Sequence, residues 1–412
     1  MPSVFSWLDY SEHDRRKAFE VIDLFRERDT RDELGIGTVR DALSDLLFPG
    51  TTTIQTRPRY FLLVPWVFQT VEEWASWKHP SLDQLRREAR SREIQLLKDL
   101  MKADDTYGVI GREAGESLQR LPSSIYWQGL SIWGIRRFPG SQSQLHRVLQ
   151  HGRAGRLFAE VEGDEQQIDG RGYWHAGLPP RPKYFPADQS LALTREEALY
   201  LQDRIRGEVG ESLLAWLVDN AAPAADVDAP WLHPQVTEIP DELARQLNHA
   251  RRFAELMRGA ALLYNLMLAR AAPERGLEDE YEESFGGWAD GLLADTAGFG
   301  AWNRDEFWSM VLDVNPRITP TTRGFVDTWC DLALSSAGPA SLRSSRAAFD
   351  LIRNREWRLK GQRARLHDPR ALERWSGAAG TGLITYRWQV VHDIVHDIRV
   401  ALDQKVKRAR SA

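Results

Sequence analysis

The sequence predicts a mainly α, multi-helical protein with at most small β elements in its N-terminal part. Apolar residues recur at three- and four-residue spacing along most of the chain, and a Ser or Thr followed three residues later by Glu, Gln or Asp opens several of these stretches. Strand-like β-branched content is confined to Thr51–Thr56.

In chain order, Ser11 with Asp14 reads as the first helix start, the hydroxyl accepting from a first-turn amide and the carboxylate lying near the positive end. Ala18, Phe19, Ile22 and Phe25 share one side of that helix, which stops near Asp29. After a loop with Gly35 and Gly37, Thr38 and Asp41 repeat the pattern for a short helix bearing Val39, Ala42, Leu43, Leu46 and Leu47, closed by Pro49 and Gly50. Thr51–Thr56 has the content of a strand. Tyr60–Phe68 is apolar all round, and Pro65 argues for a buried irregular helix over a central strand. Ser81 with Gln84 opens an amphipathic helix to about Met101, the spacing of Tyr126, Leu130 and Trp133 gives another, and a short one starts at Ser141.

Between about Phe158 and Ala192 the period disappears, and an acidic stretch gives way to one rich in Pro and Gly, as in a long loop or a boundary. Thr194 with Glu197 opens a helix expected to reach about Val218, and AAPAADVDAP is the best linker. Pro240 suits a first turn, and from Asp241 the series Leu243, Leu247, Ala250, Phe253, Met257, Ala261, Tyr264, Leu268 holds for about eight turns. Its second half is apolar nearly all round, which predicts a central core helix with Phe253, Leu256, Ala260, Tyr264 and Leu268 inside. Further helices are expected at 305–312, 322–335 and 369–376 and from about Thr385 to Lys407. The chain thus reads as an N-terminal helical domain with an aromatic-rich core at 1–157, a loop and connecting helix at 158–220, and a C-terminal helical domain at 221–412 carrying a basic segment at 343–365.

The 412 residues suffice for two or three domains, and 42% apolar with 27% charged residues excludes a disordered chain. Sixteen tryptophans predict an aromatic core. A net charge of -5 argues against a surface that is basic throughout and leaves room for a local basic face. The single cysteine, Cys330, excludes an intrachain disulfide and a Cys-rich zinc site, fits a reducing compartment, and is expected as a buried structural thiol. The first residues lack a signal-peptide core and no run approaches the length of a membrane span, so a cytoplasmic protein without membrane contact is expected.

Standard chemistry is absent from the sequence. There is no phosphate-binding GxxxxGK[ST], no dinucleotide glycine fingerprint, no HExxH, no GxSxG and no CxxC, so an enzyme is the less favoured expectation and no cofactor is expected. His392 and His396 lie four apart with Asp393 and Asp397 beside them, a weak metal pair that needs a further ligand such as His13, His79, His367 or Asp331. The plainer reading is a helix whose imidazoles bond to neighbours.

The basic segment carries more. From Arg343 to Arg365 there are eight Lys or Arg against two acids, and Arg346, Arg353, Arg355, Arg358, Lys360, Arg363 and Arg365 interleave with Phe349 and Trp357. Guanidinium forks bind phosphate oxygens in pairs and an aromatic stacks on an exposed base, so these seven are the candidate nucleic-acid contacts. Arg353, Arg355 and Arg358 cannot all face one way on a helix. The alternatives are a solvated helix face paired within this acidic chain, or a protein partner. Lys405, Lys407, Arg408 and Arg410 add charge at the tail. A second polar set (Arg31, Asp32, Arg40, Asp41, Gln55, Arg57 and Arg59) sits amid apolar sequence. An internal Arg–Asp network is the default for it, with Arg57 and Arg59 facing a phosphate as the sharper alternative.

The stretches LGIGTVRDALSDLLFPGTTTIQTRPRYFLLVPWVF, SSIYWQGLSIWGIRRF and GAALLYNLMLA, and the Tyr386-Arg387-Trp388 close, resemble a bacterial protein family of unknown function over Trp7 to about Leu402. Members look like components encoded beside helicases and phospholipase-D-like proteins in phage-defence or DNA-modification loci. The resemblance carries no catalytic role onto any residue. It implies a non-catalytic, nucleic-acid-associated accessory subunit of a bacterial antiphage defence system, meeting DNA through the local basic face, with a helicase or phospholipase-D-like protein as candidate partner. The alternatives are a protein-only adaptor or sensor bridging a helicase or nuclease complex, and an unrecognised phosphodiester-acting enzyme such as a nuclease.

Overall fold

The computed structural model describes residues 32–161, 172–220 and 227–403. In chain order the helices are α1 (Gly37–Leu47), α2 (Tyr60–Lys78), α3 (Leu82–Leu100), α4 (Pro122–Ile132), α5 (Gln142–Val161), α6 (Arg195–Val209) and α7 (Leu213–Asn220). There follow α8 (Asp241–Ala271), α9 (Glu278–Ala294), α10 (Thr296–Gly300), α11 (Arg304–Val314), α12 (Pro320–Ala333), α13 (Arg346–Lys360), α14 (Pro369–Glu373) and α15 (Trp388–Asp403). Among the described residues there is no strand, and β structure is reduced to an isolated antiparallel bridge between Arg136 and Trp174. The protein is mainly α and multi-helical.

Local chemistry explains most helix starts. Ser81 and Gln84 bond reciprocally at the head of α3, Ser141 and Gln144 at α5, and Thr194 and Glu197 at α6. At α1 the expected Thr38 cap is displaced. The Asp32 carboxylate accepts from the Ile36 and Gly37 amides at 2.8 Å, so the helix begins at Gly37 and Thr38 lies within its first turn. Leu121 has no side-chain acceptor to cap α4, and Glu93 of α3 replaces it, accepting from the Ser123 amide and hydroxyl at 2.8 Å. The helix expected from Thr194 to Val218 is two, because the chain turns after Val209 and the Ser212 hydroxyl accepts from the Ala215 amide to start α7.

The strand reading of Thr51–Thr56 fails for a similar reason. The Thr51 hydroxyl donates to the Phe48 carbonyl, and the Gln55 amide grips both Gly50 O and Thr52 N, so side chains satisfy this backbone in a turn. Tyr60–Phe68 is helical and buried throughout, with Pro65 inside α2. His13, Ser11 with Asp14, Arg31 and the tail cations Lys405, Lys407, Arg408 and Arg410 lie outside the described residues.

The chain divides into two compact units, each assembled from separated stretches. Of the described residues, one unit holds 32–43 and 245–384, the other 44–244 and 385–403. The divisions expected at 157 and 220 therefore fall within one unit, whose α15 packs on α6 and α7. The end of the expected linker is packed too: Ala229 is fully buried, and the Val227 carbonyl accepts from the Trp388 indole at 2.6 Å. In the other unit α8 is the core helix, with Phe253, Leu256, Ala260, Tyr264 and Leu268 all at 0% exposure. Buried indoles find internal acceptors, as Trp329 does at Leu256 O, Trp308 at Asp327 and Trp375 at Asn265. Among the described residues no helix is long and apolar enough to cross a membrane.

Candidate nucleic-acid interface

Helix α13 carries most of the basic segment. Ser345 starts it by accepting from the Ala348 amide, and Gly361, with φ of 55°, ends it. At about 100° per residue, Arg346, Asp350, Arg353 and Trp357 share one side, while Ala348, Ile352 and Arg355 share the opposite one. The second set faces inward.

Arg355 accordingly leaves the list of phosphate contacts. It is 6% exposed, and its guanidinium donates to Leu34 O at 2.8 Å, Gly35 O at 2.9 Å, Thr321 O at 3.4 Å and the Thr322 hydroxyl at 3.1 Å. Burial without a paired carboxylate pulls its pKa below the usual arginine value. Its role is to tie the loop before α1 and the start of α12 to α13.

Lys360 and Arg365 are internal as well. Lys360 Nζ lies 2.5 Å from Glu33, 3.0 Å from Glu356 and 3.1 Å from the Tyr264 hydroxyl, and Arg365 pairs with Glu33 at 3.0 Å. Glu356, at 0% exposure, also accepts from the Tyr264 hydroxyl at 2.5 Å and from the Arg365 and Leu366 amides at 2.9 and 3.0 Å. Burial opposes its ionisation, but these donors together with Lys360 outweigh it and hold its pKa below the ordinary carboxylate value. Two cations and two carboxylates balance, so this group holds α8, α13 and the 361–366 segment together.

What remains outside is a smaller set. The Arg346 side chain is 95% exposed and Arg353 is exposed, and both approach the single carboxylate of Asp350, at 3.6 and 3.8 Å. Such surface pairs hold about 0–1 kcal/mol each and leave the cations free to bind elsewhere. Arg358 and Arg363 are exposed, and among the described residues neither side chain has an ion pair or hydrogen bond. Trp357 is 45% exposed, with the His367 ring centroid 4.8 Å from its own and tilted by 50°. Sequence reasoning missed His367 in this position, and it missed Arg370 and Arg374, both exposed just beyond it. Those two were legible as cations, but nothing local linked them to Trp357.

Of the second polar set, Arg57 and Arg59 are held in internal pairs, whereas exposed Asp32 accepts from amides at the start of α1 and Arg40 pairs with the exposed Asp41 at 3.0 Å. Arg57 binds both oxygens of Asp397, at 2.5 and 3.1 Å, and Arg59 forks onto Glu197 with Nη1 on Ser190 O. Both forks hold carboxylates, so the phosphate-facing reading of Arg57 and Arg59 is replaced by structural pairing. His392 and His396 stack with centroids 6.2 Å apart, while Asp393 accepts from the Tyr107 hydroxyl at 3.0 Å and Asp397 is taken by Arg57. Among the described residues no group of three or more His, Cys, Asp or Glu is disposed to hold a metal ion. Cys330 is buried, and burial pushes its thiol up to about 12, far from a nucleophile's range.

The model of one family, described as a family of unknown function (DUF6361), matches residues 2–401. No curated protein and no solved structure matches the chain.

Proposed function

We propose that this chain, which belongs to DUF6361, is a non-catalytic, nucleic-acid-associated accessory subunit. The observation that supports the reading best is the outer side of α13 and its continuation, which expose Arg346, Arg353, Arg358 and Arg363 together with a half-exposed Trp357, with Asp350 as the acid paired to two of them. In a chain of net charge -5 this surplus is local, and a local field is what a phosphate backbone meets. The reading assigns no chemistry to the chain because its sequence offers none of the usual catalytic motifs. Membership of an antiphage defence system, beside a helicase or phospholipase-D-like protein, is the finer part of the proposal and rests on the gene company that the sequence resemblance implies.

The test is a titration of labelled DNA at increasing salt, followed by anisotropy, for wild type and for a variant with Arg346, Arg353, Arg358 and Arg363 changed to Glu. Four phosphate contacts give a log–log salt slope of roughly −3 to −4, and the variant loses binding. Wild-type binding no tighter than that of an acidic control protein at low salt, or an unchanged variant, sinks the reading in favour of a protein-only adaptor.

A further inference from the structure

We infer that the nucleic acid held by this face is single-stranded, with Trp357 as the platform on which a base stacks, an inference that presupposes the nucleic-acid reading of α13. The first observation is the exposure of Trp357. Trp66, Trp133, Trp308, Trp329 and Trp375 are fully buried, and burial is the ordinary state of indole in this chain. Among the described residues Trp77 is the other exposed indole, and the Lys78 ammonium lies 4.8 Å over its ring. Trp357 is instead backed by an imidazole and flanked along the helix by Arg353 and Arg358.

The second observation is how the indole is held. Glu356, the neighbour of Trp357 on the inward side of α13, accepts from the Arg365 and Leu366 amides, and so anchors to the helix the segment that carries His367. His367 is held further by its own amide, which donates to the Ala364 carbonyl at 3.1 Å. The buried network thus braces the ring that leans on Trp357, and a platform ordered before binding loses little entropy when a base arrives.

The third is geometric. The bases of a duplex are already stacked on one another, whereas a single strand offers each base's face to an aromatic. From Arg346 to Arg358 the helix rises by about 18 Å, the length of about five stacked nucleotides, and single-strand sites take about 4–16. Aromatic and arginine side chains also anchor protein partners. A face of four guanidiniums and one carboxylate suits a polyanion better, and an acidic peptide is kept as an outcome of the test.

Full-length protein is titrated at low salt with a labelled oligothymidine of about 15 nucleotides, a duplex of equal length and a polyglutamate peptide. The inference expects tighter binding to the single strand. Trp357→Ala then lowers single-strand affinity by roughly 5- to 150-fold with duplex affinity nearly unchanged, and Trp357→Phe recovers most of the loss. His367→Ala lowers the single-strand to duplex ratio in the same direction without moving the thermal midpoint, a change that a merely structural role would not produce. Equal affinity for both forms, or indifference to Trp357→Ala while the arginine variant still loses binding, overturns the single-strand inference and leaves nucleic-acid binding intact. Binding to neither DNA, or to the peptide alone, overturns both.

Discussion

Glu93 makes the stability of its unit depend on pH in a way that can be worked out in advance. Its carboxyl group is buried between α3 and α4, where both of its donors come from Ser123 and neither is charged. Burial pushes its pKa from the ordinary 4.5 up to about 7, against the pull of the Ser123 bonds and of Arg90. Because the folded value is raised, the folded chain binds the extra proton. The stabilisation is fully present below the unfolded value, falls as pH rises, and is gone once pH passes about 7. At about 1.4 kcal/mol for each pH step the whole loss is about 3 kcal/mol. Glu93→Gln keeps an oxygen for the Ser123 amide and an N–H for its hydroxyl, which already lies 3.4 Å from Gln142 Oε1, but removes the titration. Urea unfolding of both proteins, followed by circular dichroism at about pH 5 and about pH 8, isolates this one group because the other ionisations cancel in the difference. The wild type should lose about 3 kcal/mol relative to Glu93→Gln across that window. Parallel profiles for the two proteins would refute the reasoning.

Two further substitutions test the packing. Gly259→Ala on α8 gains about 1 kcal/mol of helix propensity, but its methyl overlaps the Trp288 indole, whose N–H is fixed on Glu255 O; overpacking of about 1–3 kcal/mol should prevail and lower the melting temperature, and a stabilised variant would contradict the packing. Arg355→Ala strands the Leu34, Gly35 and Thr321 carbonyls and should cost about 3–5 kcal/mol in urea unfolding, while Arg358→Ala should stay within about 0.5 kcal/mol; similar costs at both sites would mean the two sides of α13 are misassigned.

The parts of the fold that were legible are those whose cause is local. Ser81 with Gln84 and Thr194 with Glu197 reach only three residues, and the long apolar series of α8 is its own evidence of a core helix. Helix α9 is masked in the sequence although it carries a stripe: Tyr281, Phe285, Trp288 and Leu292 are all buried at helical spacing. Gly286, Gly287 and Gly291 each disfavour a helix by about 1 kcal/mol, and burial of the stripe against the rest of its unit overrides them. The discontinuous units had no such signal. That α15 completes a unit built from the earlier half of the chain depends on helix faces meeting across some two hundred residues, and no window of sequence contains both.

The candidate site divides along the same line. That Arg355 and Trp357 point apart follows from the helical period alone, and Ala348 with Ile352 marks the inward side that Arg355 shares, so its burial could have been read. The fate of Lys360 and Arg365 could not, because their partner Glu33 comes from the far end of the chain. The two buried glutamates show why a charge count fails here. Glu93 meets only uncharged donors and is driven towards its protonated form; Glu356 meets a tyrosine hydroxyl, two amides and Lys360, and stays ionised. An ionised Glu356 needs its cations inside, and that demand withdraws Lys360 and Arg365 from the surface. Basic residues in a sequence are therefore supply, and the buried carboxylates take their share first; the arginines left over are the ones whose helical phase or position keeps them from the buried carboxylates, which is why the remaining charge lies on the side of α13 that carries Trp357 and just beyond it.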